Sequence, residues 1–111
     1  MLPKQNRLTK RKEFNYIYKN GKATHSNLIT IVSVPSKIAT PRIGFSVSNK
    51  VGSAPVRNKV KRRLREIVKA RLTKLKPNQN LIIIAKLNIT EANYQQMQKE
   101  MDYTLSKGNL S

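Results

Sequence analysis

The residues best suited to chemistry in this chain are basic side chains in a predicted helix that follows Gly52. Lysine and arginine recur there at every fourth position, which places them on one ridge of the helix. Neighbouring cations on a ridge repel each other, and a polyanion bound along it would turn that repulsion into attraction. The pattern therefore predicts a nucleic-acid-binding surface. The members of the ridge are Arg57, Lys61, Arg65 and Lys69.

The same segment carries an apolar stripe with helical spacing. An amphipathic helix of this kind packs its apolar side on a core and leaves its charged side outward. Ser53 is the predicted N-cap, Pro55 suits the first turn, and Pro77 ends the helix by Lys76 at the latest. The stripe consists of Val56, Val60, Leu64, Ile67, Val68, Leu72 and Leu75.

The distribution of charge supports a polyanionic partner. The chain has 111 residues and a formal net charge of +18. Residues 1–76 contain 20 lysines and arginines and two glutamates, which accounts for the whole excess. Residues 77–111 contain three lysines and three acids and are neutral. A charge bias that served solubility alone would have no reason to stop at Pro77.

Groups that could catalyse a reaction are sparse. Metal-dependent cleavage of a phosphodiester needs clustered carboxylates that hold ions about 3.5–4 Å apart, whereas the five acids here are scattered. We predict that Glu66 pairs with its basic neighbours, and that His25, a lone histidine, is a surface residue. The chain has no cysteine, which excludes disulfides and thiolate metal sites. We therefore predict no catalytic residue and no metal site in the protein.

The chain shows no pattern typical of export or membrane insertion. Its first residues lack an apolar core of signal-peptide length, and the longest apolar run, residues 81–85, is too short to span a bilayer. We expect a single cytoplasmic domain over residues 1–111, with frayed ends at about residues 1–6 and 108–111. We expect no membrane and no obligate protein partner.

Periodicity outside the basic segment predicts an α+β domain with helices packed on one sheet. Thr9 is the predicted N-cap of the first helix, and Gly21 its end. A turn near Pro35 could join the first two strands into a hairpin. The predicted elements are a helix over residues 9–20, strands over residues 27–34 and 42–48, the basic helix, a central strand over residues 81–87 and a helix after Thr90.

Cations occupy the first turns of two predicted helices. Lys10, Arg11 and Lys12 lie in the first turn of one helix, and Arg57 and Lys59 in that of the other. Each opposes the helix dipole at a cost of about 0.3–1 kcal/mol when exposed. Helix N-termini also bind phosphates through free backbone N–H groups. We therefore predict that phosphates bind at the N-termini of both helices.

Residues 50–66 closely resemble the signature of the bacterial ribonuclease P protein component. The family pattern has Arg-Asn, then Lys-Arg after two residues, then Arg after two more. Residues 6–21, 42–50 and 81–85 resemble the family's opening, the strand before the signature and the late strand. The positions that match the signature are Arg57, Asn58, Lys61, Arg62 and Arg65.

The resemblance implies a small basic partner for a large catalytic RNA. Together they remove the 5′ leader from precursor tRNA, an endonucleolytic step in tRNA maturation. The chemistry and the magnesium ions belong to the RNA subunit, and the protein alone binds no cofactor. The implied fold is a single-domain two-layer α/β sandwich in the order α-β-β-β-α-β-α, similar to a domain of a ribosomal protein. Its βαβ crossover is left-handed and carries the signature helix.

By resemblance, the protein has two binding tasks. The signature helix contacts the catalytic RNA, and a cleft between the sheet and the first helix receives the single-stranded leader, which aromatic stacking over a basic track suits. Helical spacing by itself favours core positions for Phe14 and Tyr18. The resemblance instead makes Phe14 a stacking platform and leaves Tyr18 open. The candidates are Arg57, Asn58, Lys59, Lys61, Arg62 and Arg65 for the catalytic RNA, Phe14, Tyr18, Ser48 and Lys50 for the leader, and Arg7, Lys10, Arg11 and Lys12 for additional phosphates.

Two other classes of protein share parts of this pattern. A small ribosomal or other structural RNA-binding protein would have the same size and charge, although the long basic tails that favour it are missing here. A DNA-binding module would aim side chains at base edges in a major groove. The density of lysine and arginine suits phosphates better than base readout.

Overall fold

The structure is a computed structural model that describes residues 2–111. Within them lie three α-helices and four strands in the order α-β-β-β-α-β-α, which confirms the predicted α+β class. The elements are α1 (Arg11–Asn20), β1 (Lys22–His25), β2 (Ile29–Pro35), β3 (Arg42–Ser46), α2 (Ala54–Lys69), β4 (Gln79–Ala85) and α3 (Tyr94–Lys107).

The four strands form one mixed sheet in the order β1-β2-β4-β3. β1 and β2 form an antiparallel hairpin, and β4 runs antiparallel to β2 and parallel to β3. The predicted hairpin between the strands on either side of Pro35 is therefore wrong. The apolar run in β4 is buried along most of its length. β4 lies between β2 and β3, so its backbone is hydrogen-bonded on both edges, as expected of a central strand.

α2 is the crossover between the parallel strands β3 and β4. Parallel neighbours need a long connection of this kind because a tight turn cannot join them. The resemblance also implies that the crossover is left-handed, and that handedness stays a prediction.

Helices lie on both faces of the sheet. α2 and α3 pack on one face in the main core, which includes Ile31 and Ile83. α1 packs on the other face, where its Ile17 joins Val32 and Ile82 in a smaller cluster. The sheet with α2 and α3 forms the two principal layers, and α1 adds a partial layer behind them.

The start of α1 differs from the prediction, because its N-cap residue is Lys10, one position after the predicted cap at Thr9. α2 ends at Lys69, within the predicted limit of Lys76. A turn and the 3₁₀ helix Leu72–Lys74 follow α2, and they bring Leu75 into the main core.

One apolar residue in each of the two segments expected to fray is packed onto the domain. Leu2 and Leu110 are both buried. The backbone carbonyl of Leu110 accepts hydrogen bonds from the Lys76 N–H at 3.0 Å and from Gln79 Nε2 at 2.9 Å. These contacts hold the end of the chain against the start of β4.

Candidate nucleic-acid interface

α2 presents its basic side chains outward because the middle of its apolar stripe is buried, although Val56 of the predicted stripe is exposed. Val60, Leu64, Ile67 and Val68 are buried in the main core. The six predicted contacts for the catalytic RNA lie on the remaining surface of the helix, which we call the basic helix face. Its residues are Asn58, Lys59 and Arg62, which are exposed, and Arg57, Lys61 and Arg65, which are half-buried.

The start of α2 is held by its backbone and by one arginine. The Arg57 N–H donates to the Ser53 carbonyl at 2.9 Å, and the Arg57 Nη1 donates to the Gly52 carbonyl at 2.9 Å. Ser53 is the N-cap residue as predicted, but its side chain makes no capping hydrogen bond. Arg57 therefore has a structural role at the helix start, and four of its five N–H donors stay available.

The predicted leader cleft has its aromatic residues on α1. The rings of Phe14 and Tyr18 have centroids 6.4 Å apart and are tilted by 56°. Phe14 is half-buried and lies so close to β3 that a Cβ at Gly44 would be 2.3 Å from its Cζ. Tyr18 is 46% exposed. Phe14 thus anchors α1 to the sheet, and Tyr18 is the more open of the two rings.

The sheet beside α1 is incompletely covered. Ser46 of β3 is paired with Ile84 of β4, and both are partly exposed on the face that α1 occupies. The short helix therefore leaves an open strip of sheet next to its aromatic residues. The leader cleft that the resemblance implies at this strip stays a prediction.

Ser48 and Lys50 lie in the turn that joins β3 to α2, and both are exposed. The Lys50 N–H donates to Ser48 Oγ at 3.2 Å, and the Val51 N–H donates to the Ser48 carbonyl at 3.0 Å. Phe14 contacts Gly44 in the middle of β3, whereas these two residues follow the end of the strand. The turn therefore lies between β3, which Phe14 contacts, and α2, which carries the basic helix face.

A cavity of about 240 Å³ brings together residues that the sequence assigned to three separate groups. Its lining includes Arg7, Phe14 and Arg65, together with Phe45 of β3. Arg7 is fixed there by a parallel bridge to Ile43 and by a hydrogen bond from its Nε to the Leu2 carbonyl at 2.8 Å. The cavity therefore brings Phe14, one of the four residues predicted for the leader, close to Arg65 of the basic helix face, an adjacency that spacing along the chain does not reveal.

The remaining predicted phosphate contacts lie at the start of α1. Lys10, Arg11 and Lys12 are all exposed. The Lys10 carbonyl accepts hydrogen bonds from the N–H groups of Glu13 and Phe14, and no side chain caps the helix. The three cations thus lie at a helix start that no side chain caps, and phosphate binding there stays a prediction.

Two ion pairs withdraw arginines from the basic surface. Arg42 pairs with Glu13 at 2.8 Å, which ties β3 to α1 beside Phe14. Arg71 pairs with Asp102 of α3, and its hydrogen bond lowers the pKa of the Asp102 carboxyl below the ordinary value. The same bond raises the pKa of Arg71. Sequence reasoning missed both pairs, although Glu13 stood out as the only acid in the first 65 residues.

The acidic side chains are dispersed. No three histidine, aspartate or glutamate side chains of residues 2–111 lie close enough together to hold a metal ion. Glu100 accepts hydrogen bonds from the backbone N–H groups of Asn27 and Leu28 at 2.8 and 3.2 Å. The prediction that Glu66 pairs with its basic neighbours is wrong, because the ion pairs of the described chain are those of Glu13 and Asp102.

Two other predictions concern the lone histidine and the possibility of a membrane-spanning helix. His25 is exposed at the end of β1, where its Nδ1 lies 3.0 Å from Thr30 Oγ1, as expected of a surface residue. Across residues 2–111, every helix is too short or too polar to cross a membrane.

Comparisons of the whole chain with known proteins agree on one family. A family model described as Ribonuclease P matches residues 2–109. The ribonuclease P protein component of Finegoldia magna is 35% identical over 108 residues, covering 97% of this chain and 95% of the relative. That of Syntrophus aciditrophicus is 34% identical over 106 residues, covering 96% and 89%. A solved structure of a Staphylococcus aureus RNase P protein mutant with defective mRNA degradation activity has a TM-score of 0.92 at 29% identity, covering 97% of this chain and 92% of that one.

Proposed function

The chain belongs to the ribonuclease P protein family and is a protein subunit of ribonuclease P, an enzyme of tRNA processing. From that premise, we propose that it has two binding tasks in removing the 5′ leader of precursor tRNA. The basic helix face binds the catalytic RNA. The leader cleft, formed by Phe14, Tyr18, Ser48 and Lys50, holds the single-stranded leader.

Binding of the catalytic RNA is supported chiefly by the density of outward-facing cations on α2. The helix has seven basic residues and one acid, and four of its apolar side chains are buried in the main core. None of the six residues of the basic helix face forms an ion pair within the described chain. RNA phosphates would neutralise these cations and release counterions, which is the main source of affinity for a polyanion.

The second task is supported by aromatic and polar groups around an open strip of sheet. Tyr18 offers an exposed ring, and Phe14 supports it from 6.4 Å away. Bases of single-stranded RNA stack on such rings without regard to sequence. Ser48 and Lys50 add a hydroxyl and a cation in the turn after β3. A leader of variable sequence suits this kind of site.

We further propose that the RNA carries the chemistry with its magnesium ions. In the protein, Glu13 and Asp102 are held in ion pairs, and Glu100 is held by backbone N–H groups. The other two acids, Glu66 and Glu91, lie in different elements. This arrangement offers no paired carboxylates for a two-metal site.

Reconstitution with a catalytic RNA and precursor tRNA at low magnesium tests the proposal. We expect the chain to stimulate removal of the leader. We also expect it to increase the affinity of the complex for precursor tRNA more than for mature tRNA, which lacks the leader. Equal affinity for both substrates would contradict the leader cleft. No stimulation together with tight binding to ribosomal RNA would favour a structural RNA-binding protein instead.

A further inference from the structure

Glu66 is out of place in α2 if stability alone is considered. It is the only acid among seven basic residues of the helix and lies in the last turn, where a negative charge opposes the helix dipole. Arg62 precedes it by four positions, which is the less favourable order for a pair of opposite charges. In residues 2–111, no cation forms an ion pair with its exposed carboxylate.

The surroundings of Glu66 are unlike a plain phosphate site. Glu66 shares a surface concavity of about 440 Å³ with Asn58, Arg62 and Arg65. The two guanidinium groups offer only donors, the carboxylate offers only acceptors, and the Asn58 amide offers both. Phosphate oxygens accept hydrogen bonds and repel a carboxylate, so a phosphate bound in the concavity would offer Glu66 no favourable interaction. A ligand that fits the whole concavity has donors and acceptors side by side.

We propose that this concavity binds an unpaired guanine of the catalytic RNA and that Glu66 is its specificity-determining residue. The inference rests on the proposed function, because it names what one part of the basic helix face recognises. Guanine carries adjacent N1–H and N2–H donors on its Watson–Crick edge, and a carboxylate accepts from both. Its O6 and N7 accept together from one arginine, which Arg65 supplies, and Arg62 binds an adjacent phosphate. Unpaired bases in RNA loops are read on these edges.

The substitution Glu66→Ala distinguishes this role from that of an idle surface charge, because the two roles predict opposite signs. An idle acid on a phosphate-binding surface weakens RNA binding, so its removal would strengthen the affinity for catalytic RNA. If Glu66 accepts hydrogen bonds from a guanine, its removal weakens the affinity about tenfold, which corresponds to about 1.4 kcal/mol. The measurement is the Kd of the full chain for catalytic RNA over a series of salt concentrations.

Two further variants control the result. Glu66→Gln keeps the size and one acceptor oxygen, and we expect its affinity to lie between that of the wild type and that of Glu66→Ala. Glu91→Gln removes an exposed acid from the 3₁₀ helix Leu87–Glu91, away from α2, and we expect it to leave the Kd unchanged. Thermal melting verifies that each variant is folded.

Inosine in place of guanine identifies the base, because inosine lacks the N2 amino group. With the wild-type chain, we expect inosine at one guanine of the catalytic RNA to weaken binding, and with Glu66→Ala we expect no further loss there. Tighter binding by Glu66→Ala, or the same inosine sensitivity with both proteins at every guanine, would overturn the inference. Failure of the wild-type chain to bind catalytic RNA at all would instead overturn the proposed function.

Discussion

Helices α2 and α3 pack side by side on the same face of the sheet, yet they differ sharply in charge and in capping. They are similar in length, at 16 and 14 residues, and each buries four side chains. α3 has two lysines and two acids, and its Asn93 and Gln96 form a reciprocal capping box. α2 has seven basic residues, one acid and no side-chain cap.

The acids of the two helices show the same contrast. In α3, Glu100 holds two backbone N–H groups, and Asp102 holds Arg71. In α2, Glu66 holds no group of the described chain. Both acids of α3 are paired within the protein, whereas the one acid of α2 has no partner in the described chain. A helix that binds a ligand can therefore pack into the same core as a structural helix and differ from it mainly in its exposed residues and its cap.

The largest expected effect tests what the two helices share. Leu64 of α2 and Met101 of α3 are both fully buried. We expect Leu64→Ala and Met101→Ala each to lower the free energy of unfolding by about 2–5 kcal/mol, because each leaves a cavity in one core. Urea unfolding at equilibrium measures this. If only the α3 variant were destabilised, α2 would not be an integral part of the domain.

The next effect tests the outward side of α2 against that of α3. We expect Arg62→Ala to weaken binding of catalytic RNA about tenfold, or about 1.4 kcal/mol. The slope of log affinity against log salt should fall in magnitude by about 0.7–0.9, the share of one phosphate contact. Lys99→Ala removes an exposed cation of α3 and serves as the matched control, with no change in either quantity. An unchanged slope for Arg62→Ala would contradict the basic helix face.

The third prediction compares the two helix starts. Asn93 Oδ1 accepts from the Gln96 N–H at 2.8 Å, whereas the Ser53 side chain makes no capping bond. We expect Asn93→Ala to lower the free energy of unfolding by about 1 kcal/mol. Ser53→Ala should leave it nearly unchanged. Equal losses in urea unfolding would show that α2 is capped in solution and would weaken the contrast.

The smallest effect concerns the ion pair of Asp102 in α3 with Arg71, which lies just beyond the end of α2. Asp102 is 60% exposed, so we expect Asp102→Asn to cost only about 0.5 kcal/mol at neutral pH. Arg71 lowers the pKa of Asp102 in the folded protein. The contribution of the pair is therefore complete above the ordinary value of 3.8 and is lost as the pH falls through the folded-state pKa. Urea unfolding of wild type and variant should differ at neutral pH and converge well below pH 3.8. A difference that persists in acid would contradict the pair.

Local patterns predicted the elements better than their arrangement. The apolar spacing in α2 and the apolar run in β4 correctly predicted a buried helix side and a central strand. The predicted partner of the strand beginning at Arg42 was wrong, since β3 pairs with β4 and not with β2. Strand pairing across 38 residues, as between Arg42 and Asn80, depends on which edges are free after collapse, and periodicity carries no such information.

The candidate site shows the same division. Charge density and signature spacing predicted the basic helix face, and the resemblance to the family predicted the leader cleft as a separate site. The cavity that joins Arg7, Phe14 and Arg65 could not be predicted, because its residues come from three segments that meet only at the edge of the sheet. The ion pair of Glu13 with Arg42 also depends on that meeting.

The sequence by itself determined that this protein has a polyanion-binding helix and a neutral remainder, because charge and helical period are properties of neighbouring residues. The matching signature also determined its family. Only the tertiary structure decided which charges stay available: it paired Arg42 and Arg71 with acids and left Glu66 without a protein partner in the described chain. The physical reason is that an ion pair depends on distances between side chains, and folding sets those distances across the whole chain.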